Sequence, residues 1–152
     1  MSAGPLAHPR RSRLLLVEDN PADVRLTVEV FEEGALKPQI DVVSDGIEAL
    51  EYLRGDPPRT GPRRPDLILL DLNMPRMDGR ELLAVLKSDQ SLASIPVVVL
   101  TTSSAPRDVA RCRELHAASV ISKPVDLESF QQVVRGIERF WLSLSNVNPA
   151  ES

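Results

Sequence analysis

Asp66-Leu67-Ile68-Leu69-Leu70-Asp71 sets four apolar residues in a row and stops them at a carboxylate. A strand with one face in water alternates apolar with polar residues. An unbroken apolar run suits a strand buried on both faces, which belongs in a parallel sheet covered by helices. The pattern recurs: Leu14-Leu15-Leu16-Val17 runs into Glu18-Asp19, Val97-Val98-Val99-Leu100 into Thr101, and the shorter Val120-Ile121-Ser122 into Lys123. In such a sheet, ligands bind outside the carboxyl ends of the strands. Two or three carboxylates, a hydroxyl and a lysine amine are therefore expected at one end of one sheet.

Between these strands the chain reads as helices. The first strand covers about 13–18, and Asn20-Pro21 then has the form of a helix cap followed by proline at the first helical position. Val24, Val28 and Phe31 recur at helical spacing, and Gly34 is a suitable stop. Ile40, Val42 and Val43 make a second strand. Ser44-Asp45-Gly46 opens a helix bearing Ile47, Leu50 and Leu53. Residues 55–65 are too rich in proline for regular structure. The third strand spans about 66–71, and Asp78-Gly79-Arg80-Glu81 has the form of a capping box ahead of Leu82, Leu83, Val85 and Leu86. A fourth strand (about 96–101), a helix near 105–116, a fifth strand (about 119–122) and a last helix from Asp126 to about Leu142 complete the series. That helix carries Leu127, Phe130, Val133, Val134, Ile137 and Trp141 on one face. Five strands alternating with five helices, joined by right-handed crossovers, lead to a flavodoxin-like α/β three-layer sandwich with strand order 2-1-3-4-5. The expected division is a flexible tail at 1–12, one domain at 13–142 and a second tail at 143–152.

Composition narrows the function classes. A chain of 152 residues suits one core, and a net charge of −4 with no basic stripe gives no reason to expect nucleic-acid binding. No run approaches the ~18 apolar residues of a membrane helix. The basic N-terminus lacks the apolar stretch and cleavage site of a signal peptide, so the expected location is cytoplasmic. Cys112 is the single cysteine, which excludes an internal disulfide, and it reads as a spectator on a helix.

The strand ends have a chemistry in common. In the order 2-1-3-4-5, Asp19 and Asp71 meet at the switch point, where two close anions require a proton or a cation. Hard oxygen ligands on an open loop suit Mg2+, with phosphate oxygens filling the rest of its sphere. A carboxylate fixed at a strand terminus, Asp71, is placed to attack phosphorus and form an acyl phosphate. Lys123 and the Thr101 hydroxyl are placed to take the remaining oxygens, and phosphoryl transfer needs mostly such positioning. Taken singly, an aspartate after a strand is usually a turn residue and a threonine after valines only a strand former. The weight lies in Glu18-Asp19, Asp71, Thr101 and Lys123 falling at the same end of successive strands.

With these residues in view, the chain resembles a response-regulator receiver domain, the phosphoacceptor half of two-component signalling. The resemblance rests on Leu16-Val17-Glu18-Asp19-Asn20-Pro21, the segment from Asp66 to Gly79 with its Asp-Leu-Asn-Met-Pro and Met-Asp-Gly, Pro96 to Thr101, and Ser122-Lys123-Pro124, and it covers about 13–142. It implies that Asp71 accepts the phosphoryl group, that Glu18 and Asp19 are the acidic pair, and that the Asn73 backbone carbonyl joins Asp19 and Asp71 around Mg2+. It also implies that Thr101 is the switch hydroxyl and Lys123 the family's lysine, with Met74-Pro75 and Asp78-Gly79 shaping the loop after the acceptor. Val120 departs from the aromatic residue common three positions before the lysine. His116 stands where a helix-ending glycine is common and is expected to take a left-handed conformation. Thr102 stands where smaller residues are frequent and is expected to shield the acyl phosphate.

By the same resemblance the partner is a sensor histidine kinase. The long loop before the third strand, the Val-Glu-Asp-Asn-Pro opening and the long last helix are similar to stand-alone regulators paired with phytochrome-type kinases. About ten residues follow Leu142, too few for a DNA-binding or catalytic output domain, so a regulator acting by protein contact is expected rather than an enzyme. A homodimer through the face of helix 4, strand 5 and helix 5 is expected, with Trp141 serving either as interface anchor or as a cap on the core. Two alternatives stand beside this reading. One is a phosphatase with an aspartyl-phosphate intermediate, which ordinarily wants an acid where Asn73 stands. The other is a receiver-shaped scaffold that no longer takes phosphate.

Overall fold

The computed structural model describes residues 12–55, 64–72, 79–101, 106–124 and 126–144. Strands β1 (Arg13–Val17), β2 (Gln39–Val43), β3 (Leu67–Asp71), β4 (Val97–Thr101) and β5 (Ser119–Ser122) alternate with helices α1 (Pro21–Glu32), α2 (Gly46–Arg54), α3 (Gly79–Ser88), α4 (Pro106–Glu114) and α5 (Leu127–Ser143). All pairings are parallel, in the order β2-β1-β3-β4-β5. This is the flavodoxin-like order expected from the alternation of the sequence. Ser12 is already part of the sheet edge, its carbonyl accepting the Gln39 N–H at 2.7 Å, and Ser143 is still helical. The rest of the two expected tails, 1–11 and 145–152, lies outside the described residues, as does most of the proline-rich loop.

The central strands are buried on both faces, as their apolar runs require: every residue of β3 and of β4 is buried. Side chains alternate across a strand, so each run feeds two cores. On one side Leu15, Val17, Ile68, Leu70, Val97 and Val99 meet Leu50 of α2, Leu82, Leu83 and Leu86 of α3, and Cys112 of α4. On the other, Leu14, Leu16, Leu67, Leu69, Val98 and Leu100 meet Val30 and Phe31 of α1 and Phe130, Val134, Ile137 and Trp141 of α5. Each such side chain, fully buried, is worth about 1.5–3 kcal/mol.

Helix starts follow local side-chain chemistry. Asn20 caps α1 by accepting the N–H groups of Ala22 and Asp23. Asp45 caps α2 by accepting the Glu48 N–H at 2.9 Å, while Glu48 reaches back to the Ser44 N–H at 2.8 Å. Asp126 caps α5 through the Ser129 N–H at 2.7 Å. The capping box expected at Asp78 lies outside the described residues. His116 has φ 63°, the left-handed conformation expected where α4 ends.

Two apolar assignments need correction, and Trp141, open between core and interface, falls in the core. Ile47 and Leu127 are exposed, at 36% and 53%. Each stands at or next to the first residue of its helix, and the buried stripe begins later, at Ala49 in α2 and Phe130 in α5. Trp141 is fully buried between α5 and the sheet, so it belongs to the core and is unavailable as an interface anchor.

Gly79, the first residue of α3, shows how tightly the chain folds back on the acceptor strand. Its N–H donates to the Leu72 carbonyl at 2.9 Å, and a Cβ there would lie 2.6 Å from the Leu72 Cα and 2.8 Å from the Asp71 carbonyl oxygen. Both obstacles are backbone, which cannot swing aside. Gly79→Ala is therefore expected to cost about 1–3 kcal/mol. In urea denaturation its midpoint should fall while the slope stays that of the native protein.

Candidate functional site

The last rung of the sheet ladder holds the backbone of each candidate residue. The Glu18 N–H, one residue past β1, donates to the Val43 carbonyl at 3.0 Å. The Leu72 N–H, one residue past Asp71, donates to the Leu100 carbonyl at 3.2 Å. The Thr101 carbonyl accepts the Lys123 N–H at 2.8 Å. Asp71 lies opposite Leu100 and Thr101 opposite Ser122, so the register sets all these residues on one edge.

The side chains then converge. Lys123 Nζ lies 2.9 Å from Glu18 Oε1, 2.9 Å from Asp23 Oδ2 and 3.5 Å from Asp71 Oδ2. Glu18 and Asp71 are nearly closed off, with side chains 4% and 8% exposed, and Lys123 is 15% exposed. Thr101 is buried on the same edge. Asp19 faces solvent, yet one carboxylate oxygen from each of Glu18, Asp19 and Asp71 lies within 4.8 Å of the others. The sequence-predicted residues Glu18, Asp19, Asp71 and Lys123 thus come together, with Thr101 on the same strand-end edge. Asn73 and Thr102 lie outside the described residues. Val120 pairs with Val99 and packs, half-buried, against the first core.

Asp23 is the member that sequence reasoning missed. It occupies the first turn of α1, where an acid ordinarily reads as a partner of the helix dipole. Its contact with Lys123 joins residues 100 positions apart, and no local pattern signals it.

Burial and charge shift two groups in opposite directions. Burial, followed by the Asp71 charge, pushes the Glu18 carboxyl up to about 7, although its hydrogen bonds with Lys123 and the Asn20 N–H oppose the shift. Burial alone would pull the Lys123 ammonium down. Its hydrogen bonds to Asp23 and Glu18 and the charges of Asp71 and Glu18 outweigh this and raise it above the ordinary lysine range. The lysine therefore stays charged, and even so it does not fully compensate the acids around it. Three hard carboxylate donors carrying excess negative charge fit a divalent cation of the Mg2+ or Mn2+ type.

Comparison with known proteins agrees with this geometry. The family model for the response regulator receiver domain matches residues 14–135. Response regulator Rcp1 of Synechocystis sp. is 43% identical over 129 residues, which cover 85% of this chain and 88% of Rcp1. Among solved structures, the phosphorylated cyanobacterial phytochrome response regulator RcpA superposes with a TM-score of 0.82 at 44% identity, covering 93% of this chain and 99% of that one. The Mn2+-bound form of Rcp1 gives 0.78 at 40% identity, covering 90% and 99%.

The raised Glu18 carboxyl has a consequence for stability. Without a divalent cation, the folded state holds a proton on Glu18 up to about pH 7, whereas an unfolded glutamate near 4.5 releases it earlier. Between these values the folded state binds more protons, so stability from this group is present below about 4.5 and is lost as pH rises through 7. Urea denaturation in chelator at stepped pH should show that decline, and Glu18→Gln should remove it. A native protein whose Glu18-dependent stability rises across this window would contradict the assignment.

Proposed function

The chain belongs to the response-regulator receiver domain family, and on that premise we propose that it takes a phosphoryl group from a sensor histidine kinase onto Asp71. The observation that carries the proposal is the convergence of Asp71, Lys123 and the Glu18-Asp19 pair at one sheet edge. In the transfer, an Asp71 carboxylate oxygen forms the new bond to phosphorus while the phosphorus–nitrogen bond of the donor phosphohistidine breaks, leaving the imidazole to take up a proton. Asp71, anchored by the β3 ladder, presents its oxygen with little freedom to lose. Lys123 would hold positive charge against the phosphoryl oxygens, and the Thr101 hydroxyl would hydrogen-bond one of them. Glu18, Asp19, Asp71 and the Asn73 backbone carbonyl would hold Mg2+, which when bound neutralises charge on the transferring group. Mn2+ in the similar protein Rcp1 supports a divalent site.

The kinase is proposed to be of the phytochrome type, a reading supported by the similarity to the phytochrome response regulator RcpA. The protein would act in the cytoplasm as a regulator, by contact with another protein. The 43% identity to the response regulator Rcp1 favours that reading over the phosphatase, as does Asn73 in place of a second acid.

A homodimer through the face of α4, β5 and α5 belongs to the same proposal. Strand β5 bonds to β4 on one side only, and beside it a groove of about 330 Å³ is lined by Val98, Ile121, Val133, Ile137 and Phe140. The partly buried Ile121, Val133 and Phe140 of this lining, rather than the fully buried Trp141, would form the contact. The native protein is expected to sediment as a concentration-dependent dimer and Phe140→Glu as a monomer. A native protein monomeric at every concentration would discard the dimer.

Incubation with acetyl phosphate and Mg2+, followed by intact-mass spectrometry, tests the chemistry. The expected result is one added phosphoryl group that needs the metal and is absent from Asp71→Asn. A phosphoryl group retained on Asp71→Asn would move the acceptor elsewhere. No addition to the native protein, together with no beryllofluoride binding, would leave the silent scaffold.

A further inference from the structure

Lys123 makes its two short contacts with carboxylates other than the acceptor. An ammonium has three N–H donors, and here Glu18 and Asp23 each take one at 2.9 Å while Asp71 stands off at 3.5 Å. Glu18 is enclosed and also accepts the Asn20 N–H at 3.2 Å, so it is tied into the entry to α1. Asp23 is not so tied. The acid at the third position of a helix commonly reaches back to the N–H of the capping residue, but in α1 that N–H belongs to Glu18. The Asp23 N–H is itself satisfied by the Asn20 side chain at 3.2 Å. The Asp23 carboxylate is thereby left to reach across the mouth of the site to Lys123. Its side chain is 40% exposed, against 4% for Glu18 and 8% for Asp71.

We propose that Asp23 is a holding partner for Lys123, one that keeps the ammonium away from Asp71 until a phosphoryl group arrives and then yields it. The inference rests on the receiver reading of the site and adds to it a positioning residue. A phosphoryl group on Asp71 brings three strong acceptor oxygens and about two negative charges to within reach of Lys123. Of the three contacts, the one to Asp23 is the least costly to surrender, because water can solvate a half-exposed carboxylate once it is released. Asp23 and the phosphoryl oxygens therefore compete for one ammonium, and the strength of the Asp23 contact is subtracted from the hold on the phosphoryl group.

Beryllofluoride with saturating Mg2+ supplies the phosphoryl-like anion, and its equilibrium affinity is measured by titration of the amide NMR spectrum. Removing the competitor in Asp23→Asn is expected to tighten beryllofluoride binding by about threefold, the scale of a half-exposed ion pair. Asp23→Glu, which keeps the charge and can still reach, should return toward the native affinity. The Lys123 ammonium 15N signal gives a second readout. It should exchange its protons faster with water in anion-free Asp23→Asn than in the native protein, and the two proteins should become alike once beryllofluoride is bound. Equal or weaker anion affinity in Asp23→Asn would overturn the holding role while leaving the receiver reading intact. A native protein that takes no beryllofluoride would overturn both.

Discussion

Glu18 and Asp71 end adjacent strands, and two carboxylates so placed repel each other. The fold exists with this repulsion built in, so something must hold the strand ends together and something must offset the charge. The sheet does the first. The bonds from Glu18 N–H to Val43, Leu72 N–H to Leu100 and Lys123 N–H to Thr101 are backbone bonds at the last rung of each ladder. They do not depend on the state of any side chain. Lys123 does the second in part: burial, with the Asp71 charge, keeps the Glu18 carboxyl raised although its bond to Lys123 pulls it down. The strand cores supply the force that makes this tolerable: β1, β3 and β4 are buried on both faces, and parting their ends would expose two cores at once.

The two sides of the sheet are fastened differently. On the side of α1 and α5, a buried clasp joins the helices. Glu138 of α5, only 4% exposed, accepts the Leu36 N–H at 3.2 Å and Arg135 at 2.9 Å, while Arg135 also donates to the Val30 carbonyl at 3.1 Å. Gly34 makes room for it, since a Cβ there would come within 2.2 Å of Glu138 Oε2. A buried acid is tolerated when it is paired and hydrogen-bonded, and it then fixes geometry more than it adds stability. Here it fixes the end of α1 against α5. The start of α1 is meanwhile held by Asn20 and by the contact of Asp23 with Lys123. On the opposite side, α2, α3 and α4 meet the sheet mainly through apolar contacts.

The fold was legible because strand burial and strand ends are local properties. Four apolar runs, each stopped by a polar residue, mark the strands, and alternation with helices leaves one topology as the natural choice. Asn20 and Asp45 declare their caps in the same local way, and His116 takes the left-handed turn expected of it. What the sequence could not show is where a periodic stripe stops being covered. Leu127 lies on the same spacing as Phe130, yet as the first residue of α5 it precedes the buried stripe and stays exposed. Trp141 posed the same question in reverse: its spacing suited the core and its size suited an interface, and packing against β1, β3 and β4 decided for the core. Of the candidate site, Glu18, Asp19, Asp71, Thr101 and Lys123 were legible because each ends a strand or follows one closely. Asp23 follows none, and its place at Lys123 depends on the rotation of α1 over the sheet edge.

The charges at that edge exceed what Lys123 alone offsets. Four carboxylates, Glu18, Asp19, Asp23 and Asp71, surround one lysine, so with every acid ionised the cluster carries a net charge of about −3. Two unit charges about 4 Å apart repel by about 1 kcal/mol in water and about 4 kcal/mol where the surroundings are partly dry. An approaching phosphoryl group adds about two negative charges to that. Lys123 is already engaged by the acids and brings no second charge. A divalent cation held by Glu18, Asp19 and Asp71, whose carboxylate oxygens lie within 4.8 Å of one another, would offset two of the surplus negative charges. The carboxylates that would repel an approaching phosphate are thus the same groups whose spacing suits a divalent cation.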